Sequence, residues 1–194
     1  SPTYETFNPR WVPYDSRLVM TLRLAELSSE PSFRHAVDQL DPLFPQTVGL
    51  LFTALELNAA SVDRLTYATA KASVWPADAV IVLHLSEPLS DLDQVSDGYI
   101  KLDWTLGGVP CFRAARDVWP FPVAMPDERT IVTGPRELIE PLGHRKFAQW
   151  KSDHVATLLA QIDASRLAFI VCDASVEDAV ETGSADALPT RWET

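Results

Sequence analysis

Four histidines, two cysteines, a cluster of aspartates and six tryptophans are the side chains in this sequence whose types could support chemistry or recognise a ligand. His35, His84, His144 and His154 show no i, i+4 pair of the kind that holds zinc on a helix. A histidine acting as a base would need a serine or cysteine within about 3 Å, and no GxSxG elbow presents one. His84 lies inside the apolar run Ala79–Leu85, and all four read as structural or surface groups. Asp91, Asp93 and Asp97 precede Gly98 and superficially resemble a calcium loop. With Asp91 as first ligand, however, the mid-loop glycine would be Ser96 and the closing bidentate glutamate would be Leu102. The cluster therefore reads as acidic residues near a helix N-terminus. Cys111 and Cys172 are far apart and form no CxxC, so they make a poor metal site. Two readings stay open for them: a pair of buried, inert thiols, or a disulfide. No catalytic residue, metal or cofactor is implied.

The tryptophans are the better lead. Trp75 and Trp119 each precede a proline. In Trp119-Pro120-Phe121-Pro122, two rings stand on a backbone that proline has already stiffened, so little ordering entropy is lost when they engage a partner. Neither proline can donate to a ladder, which assigns the segment to a sheet edge or to a lapse in pairing. Trp75, Trp119 and Phe121 are thus the candidate partner-binding residues, with Trp119 expected at the surface and Phe121 closing the core. The competing reading folds both rings into the core beneath the N-terminal arm.

The elements that would position these groups follow from periodicity. The net charge of −11 and a hydrophobic content of 46% describe a folded, acidic chain of 194 residues. Such a chain repels nucleic acid and anionic lipid, and no run approaches the ~20 apolar residues of a membrane span. It opens at Ser1-Pro2 without a methionine and reads as a mature or excised fragment. Alternation and β-branched runs predict strands over 17–24, Val62–Thr69, Ala79–Leu85, Tyr99–Leu106, 111–115, 121–125, Thr130–Thr133 and 166–173. Leu18, Met20, Leu22 and Leu24 share one face of the first strand, with Val19 an apolar exception on the other. Helices are expected over 32–40, 46–57, 136–142 and 152–162, with a short one over 87–97. Gly107-Gly108 reads as a hairpin turn. The whole is an α+β fold: one antiparallel, twisted sheet of about seven strands with helices packed mainly on one face. Residues 1–14 form an extended arm, 15–182 a single domain and 183–194 a tail.

Four segments add a likeness. Val12-Pro13-Tyr14-Asp15-Ser16, Val62-Asp63-Arg64-Leu65-Thr66, Gly108-Val109-Pro110-Cys111-Phe112, and the stretch from Pro126 through Thr130-Ile131-Val132-Thr133 to Gly134-Pro135 stand in order. Together they resemble a domain associated with planctomycete bacteria, found in secreted or membrane-anchored proteins and in the extracytoplasmic parts of receptor-like kinases. The likeness lapses at 70–78 and at Trp119-Pro120-Phe121-Pro122. It implies architecture and an extracytoplasmic place in the cell envelope, and assigns no activity. The expected function is a non-catalytic module for protein–protein interaction or envelope assembly, with a protein partner or self-association. A glycan-binding module using exposed tryptophans is the alternative, and a hydrolase the third.

Overall fold

The computed structural model describes residues 8–29, 43–70, 76–89, 98–114, 119–144, 150, 153–163, 166 and 168–173. Within them an eight-stranded antiparallel sheet runs in the order β4-β5-β6-β7-β3-β2-β1-β8. In chain order the strands are β1 (Leu18–Leu22), β2 (Val62–Thr69), β3 (Ala79–Leu85), β4 (Tyr99–Leu106), β5 (Val109–Ala114), β6 (Val123–Asp127), β7 (Thr130–Thr133) and β8 (Ala168–Cys172). The helices are α1 (Leu24–Leu27), α2 (Leu43–Ala54), α3 (Arg136–Ile139), continued by a 3-10 turn over Glu140–His144, and α4 (Asp153–Gln161). Every expected strand is present, and the count is eight instead of seven. The expected helix over 32–40, the short one over 87–97 beyond Leu89, and the tail lie outside the described residues.

One correction concerns the layers. Helices cover both faces of the sheet. On the first face, Leu65, Tyr67, Ile81, Leu83, Ile131 and Val123 are buried against Leu24 of α1, Leu51 of α2 and Leu55 just past its end. On the second, Val80, Val82, Val132, Ala124, Cys111 and Leu106 pack beneath Ile139, Leu142 and Trp11. Farther along that face, Val19, Ala68 and Val171 meet Val155 and Leu159 of α4, with Val12 of the arm. The second face is why β3 is apolar nearly throughout: a strand buried on both sides has no solvated positions to alternate with. It also explains Val19, which is fully buried while Leu18, Met20 and Leu22 are only half-buried.

Turn chemistry sets the register. Gly107 and Gly108 have φ of 60° and 93°, and their turn joins β4 to β5 with Leu106 opposite Val109. Positive φ at both central positions matches the right-handed strand twist, and glycine supplies it without a Cβ penalty. A Cβ on Gly107 would also lie 2.4 Å from the Gly143 carbonyl oxygen, so the hairpin end docks directly on the 3-10 turn.

Candidate functional site

Of the candidate partner-binding residues, Trp75 lies outside the described residues. Trp119 is a correction: it is 3% exposed and belongs to the first-face core. Its Nε1–H donates to Thr133 Oγ1 at 2.8 Å, and Thr133 Oγ1 donates to the Pro122 carbonyl at 2.8 Å. Phe121 packs edge-on against it, with ring centroids 5.3 Å apart, and is half-buried as expected. The two prolines mark a lapse in pairing before β6 and not a sheet edge, because β5 and β6 are both interior strands. Nor do the rings lie beneath the described part of the arm: Trp11 and Val12 are on the opposite face. A buried Trp119 cannot stack on a sugar.

The cysteines divide. Neither forms a disulfide; Cys111 is buried and Cys172 is exposed. Burial pushes the Cys111 thiol up to about 11, which keeps it protonated and inert at neutral pH. Paired inert burial therefore holds for Cys111 alone, since β8 is an edge strand and turns Cys172 outward.

A polar row crosses one end of the second face, and no sequence motif marks it. Thr21 and Thr66 share a hydrogen bond at 3.2 Å. Buried Arg64 stands opposite His84 in the β2–β3 register, and His84 Nδ1 lies 3.3 Å from Thr130 Oγ1. A histidine beside a hydroxyl is half of a nucleophilic pair. Thr130, however, is 4% exposed, so no substrate reaches it, and the row works as cross-strand pairing. No group of three or more His, Cys, Asp or Glu capable of holding a metal occurs among the described residues.

The two edges of the sheet differ sharply. β4 carries Lys101 and Asp103, and its register with β5 shifts between Lys101 and Thr105. Charge and irregular pairing are how edge strands avoid recruiting other strands. β8 reads Ala-Phe-Ile-Val-Cys, without charge or proline, and pairs with β1 in unbroken register from Leu18↔Cys172 to Leu22↔Ala168. Ile170 is 65% exposed, against 49% for Leu50 and 43% for Ile100, the next large apolar side chains among the described residues. The N–H of Asp173 donates to the Arg17 carbonyl at 2.6 Å. Antiparallel alternation then turns Phe169 and Val171 toward β1 and the backbone groups of Ala168 and Ile170 away from it. A cavity of about 750 Å³ runs along this edge, walled by Leu158 and Ile162 next to α4 and by Phe169, Ile170 and Val171. A second, of about 450 Å³, lies between Leu57, Asn58 and Leu89; Asn58 and Ser61 there cap one another and direct no polar group to a ligand.

No family model and no curated protein matches the chain. Among solved structures, crystal form III of TP0453, a Treponema protein, is similar at a TM-score of 0.47 and 8% identity, covering 95% of this chain and 70% of that one. Crystal form I of the same protein gives 0.44 and 9%, over 85% and 62%. Neither likeness bears on function.

Proposed function

We propose that the chain is a non-catalytic, extracytoplasmic protein-interaction domain that takes up an extended segment of its partner along β8. The observation that carries this is the contrast between the edges: β4 is guarded, whereas β8 presents a regular, uncharged strand with Ile170 exposed. Strand addition draws its affinity from main-chain hydrogen bonds and its specificity from pockets that receive alternate side chains. A cavity along the same edge supplies such a pocket. The extracytoplasmic placement is supported by the resemblance to the planctomycete-type domain, and cell fractionation of the full-length gene product checks it.

The interaction reading is tested by selecting displayed random peptides on the purified protein and measuring the recovered sequences against Ile170→Lys. An exposed lysine on an edge strand blocks strand addition without disturbing the core. Binding should be lost in Ile170→Lys at an unchanged melting temperature. Selected peptides that bind both proteins equally would place the contact elsewhere. Turnover of an ester, phosphate, peptide or glycoside substrate that disappears in His84→Ala would overturn the non-catalytic reading.

A further inference from the structure

Resting on strand addition at β8, we infer that the segment taken up is β8 of a second copy, paired antiparallel about a two-fold axis at Ile170. The backbone sets this geometry. Ala168 and Ile170 turn their N–H and C=O groups away from β1, and Cys172 shares their alternation. Two opposite residues exchange both main-chain bonds only if both present them outward. The outward residues of one copy therefore meet the outward residues of the other. An axis at Ile170 sets Ile170 against Ile170 and Ala168 against Cys172 of the other copy. This register pairs the whole of Ala168–Cys172. Moving the axis one residue along would carry one end of each strand past the end of its partner.

Charge fits the antiparallel order. Arg166 precedes the uncharged strand and Asp173 follows it, so the arginine end of one copy lies beside the aspartate end of the other. A parallel arrangement would set like against like. Asp163 stands with Arg166 at one end, and Arg17 lies opposite Asp173 at the other, so neither end carries a net charge that repels its counterpart. Shape fits on both faces. Ile170 is on the side of Met20, and the two-fold brings the two exposed isoleucines together with Cα atoms about 5.5 Å apart. On the other side, Phe169 of each copy stands opposite Val171 of its mate. The cavity of about 750 Å³, walled there by Leu158 and Ile162, receives them. Because β4 is guarded, the assembly closes as a dimer and does not grow into a fibre.

The test is sedimentation of the full chain from about 10 μM to 1 mM, the range suited to a short, weak interface. A concentration-dependent dimer should form and tighten with added salt, which screens the like net charge of −11 on each copy. Ile170→Lys and Ile170→Glu each place like charges opposite one another, so each alone should associate at least about tenfold more weakly at an unchanged melting temperature. Mixed in equal amounts they should dimerise again, because the axis sets lysine against glutamate, and this mixed dimer should loosen as salt rises. A dimer that Ile170→Lys leaves intact would lie elsewhere and overturn the proposal. Two monomeric variants that stay monomeric on mixing would overturn the axis at Ile170. A parent that is monomeric throughout, yet binds displayed peptides that Ile170→Lys does not, would overturn the second copy and leave strand addition standing. A monomeric parent that binds no peptide would overturn both.

Discussion

The indole of Trp119 is held at both ends of its chemistry: its rings are buried in the first-face core, and its one polar hydrogen is bonded to Thr133. Trp119→Ala should therefore cost about 3–5 kcal/mol of stability. Thr133→Val should cost less, about 1–3 kcal/mol, because it strands the Nε1–H and leaves the Pro122 carbonyl without its hydroxyl donor. Urea denaturation of both variants checks the pair, and a Trp119→Ala protein as stable as its parent would contradict the core placement. A Trp-Pro-Phe-Pro run reads alike on a surface and over a core. Thr133, the partner that decides, is 14 residues away and becomes adjacent only once β6 and β7 pair. Cys111 makes a second residue-scale test. Burial raises its pKa from 9.0 to about 11, so the folded state keeps a proton that the unfolded chain gives up. Its contribution to stability is complete below about pH 9 and is lost as pH rises through about 11. Between about pH 8.5 and 10.5, denaturation midpoints should fall further for the wild type than for Cys111→Ala, which lacks the titrating thiol; parallel falls would show that the thiol is not responsible.

At the scale of elements, α2 shows what local chemistry decides. Apolar periodicity extends the helix to Leu57, yet it ends at Ala54. The N–H of Glu56 donates to the Thr53 carbonyl and that of Leu57 to the Phe52 carbonyl, which together form a Schellman cap. The cap requires a left-handed residue, and Glu56 occupies it with φ 54°. A glutamate gives no sequence signal for this position, since glycine or asparagine is the usual occupant. Glu56→Gly should stabilise the protein by about 0.5–1 kcal/mol, read as a higher urea midpoint with an unchanged slope. A lower midpoint would contradict the cap. The strands, by contrast, were readable, because β-branched alternation between glycine and proline stops has few other interpretations. What the alternation concealed was the second helical layer. Leu18, Met20 and Leu22 formed the visible stripe of β1, while Val19, a single valine on the other side, marks the face that α4 buries more completely.

At the scale of the molecule, helices bury much of both faces of the sheet among the described residues, and its two edge strands differ. Which edge is open was encoded in composition: Lys101 and Asp103 on β4, and no charge from Ala168 to Cys172. Which strands form the edges was not, because the order places β8 beside β1 through pairing between residues at opposite ends of the chain. The candidate site was therefore hidden even though each of its strands was readable. The most direct measurement is amide hydrogen exchange at Ile170, resolved by NMR, with and without a saturating amount of a peptide selected on the purified protein. The amide of Ile170 points away from β1, so an added strand should slow its exchange by an order of magnitude or more. The amides of β4 should be unchanged. Exchange at Ile170 that is indifferent to the peptide, or protection that appears on β4 instead, would contradict the proposed docking edge.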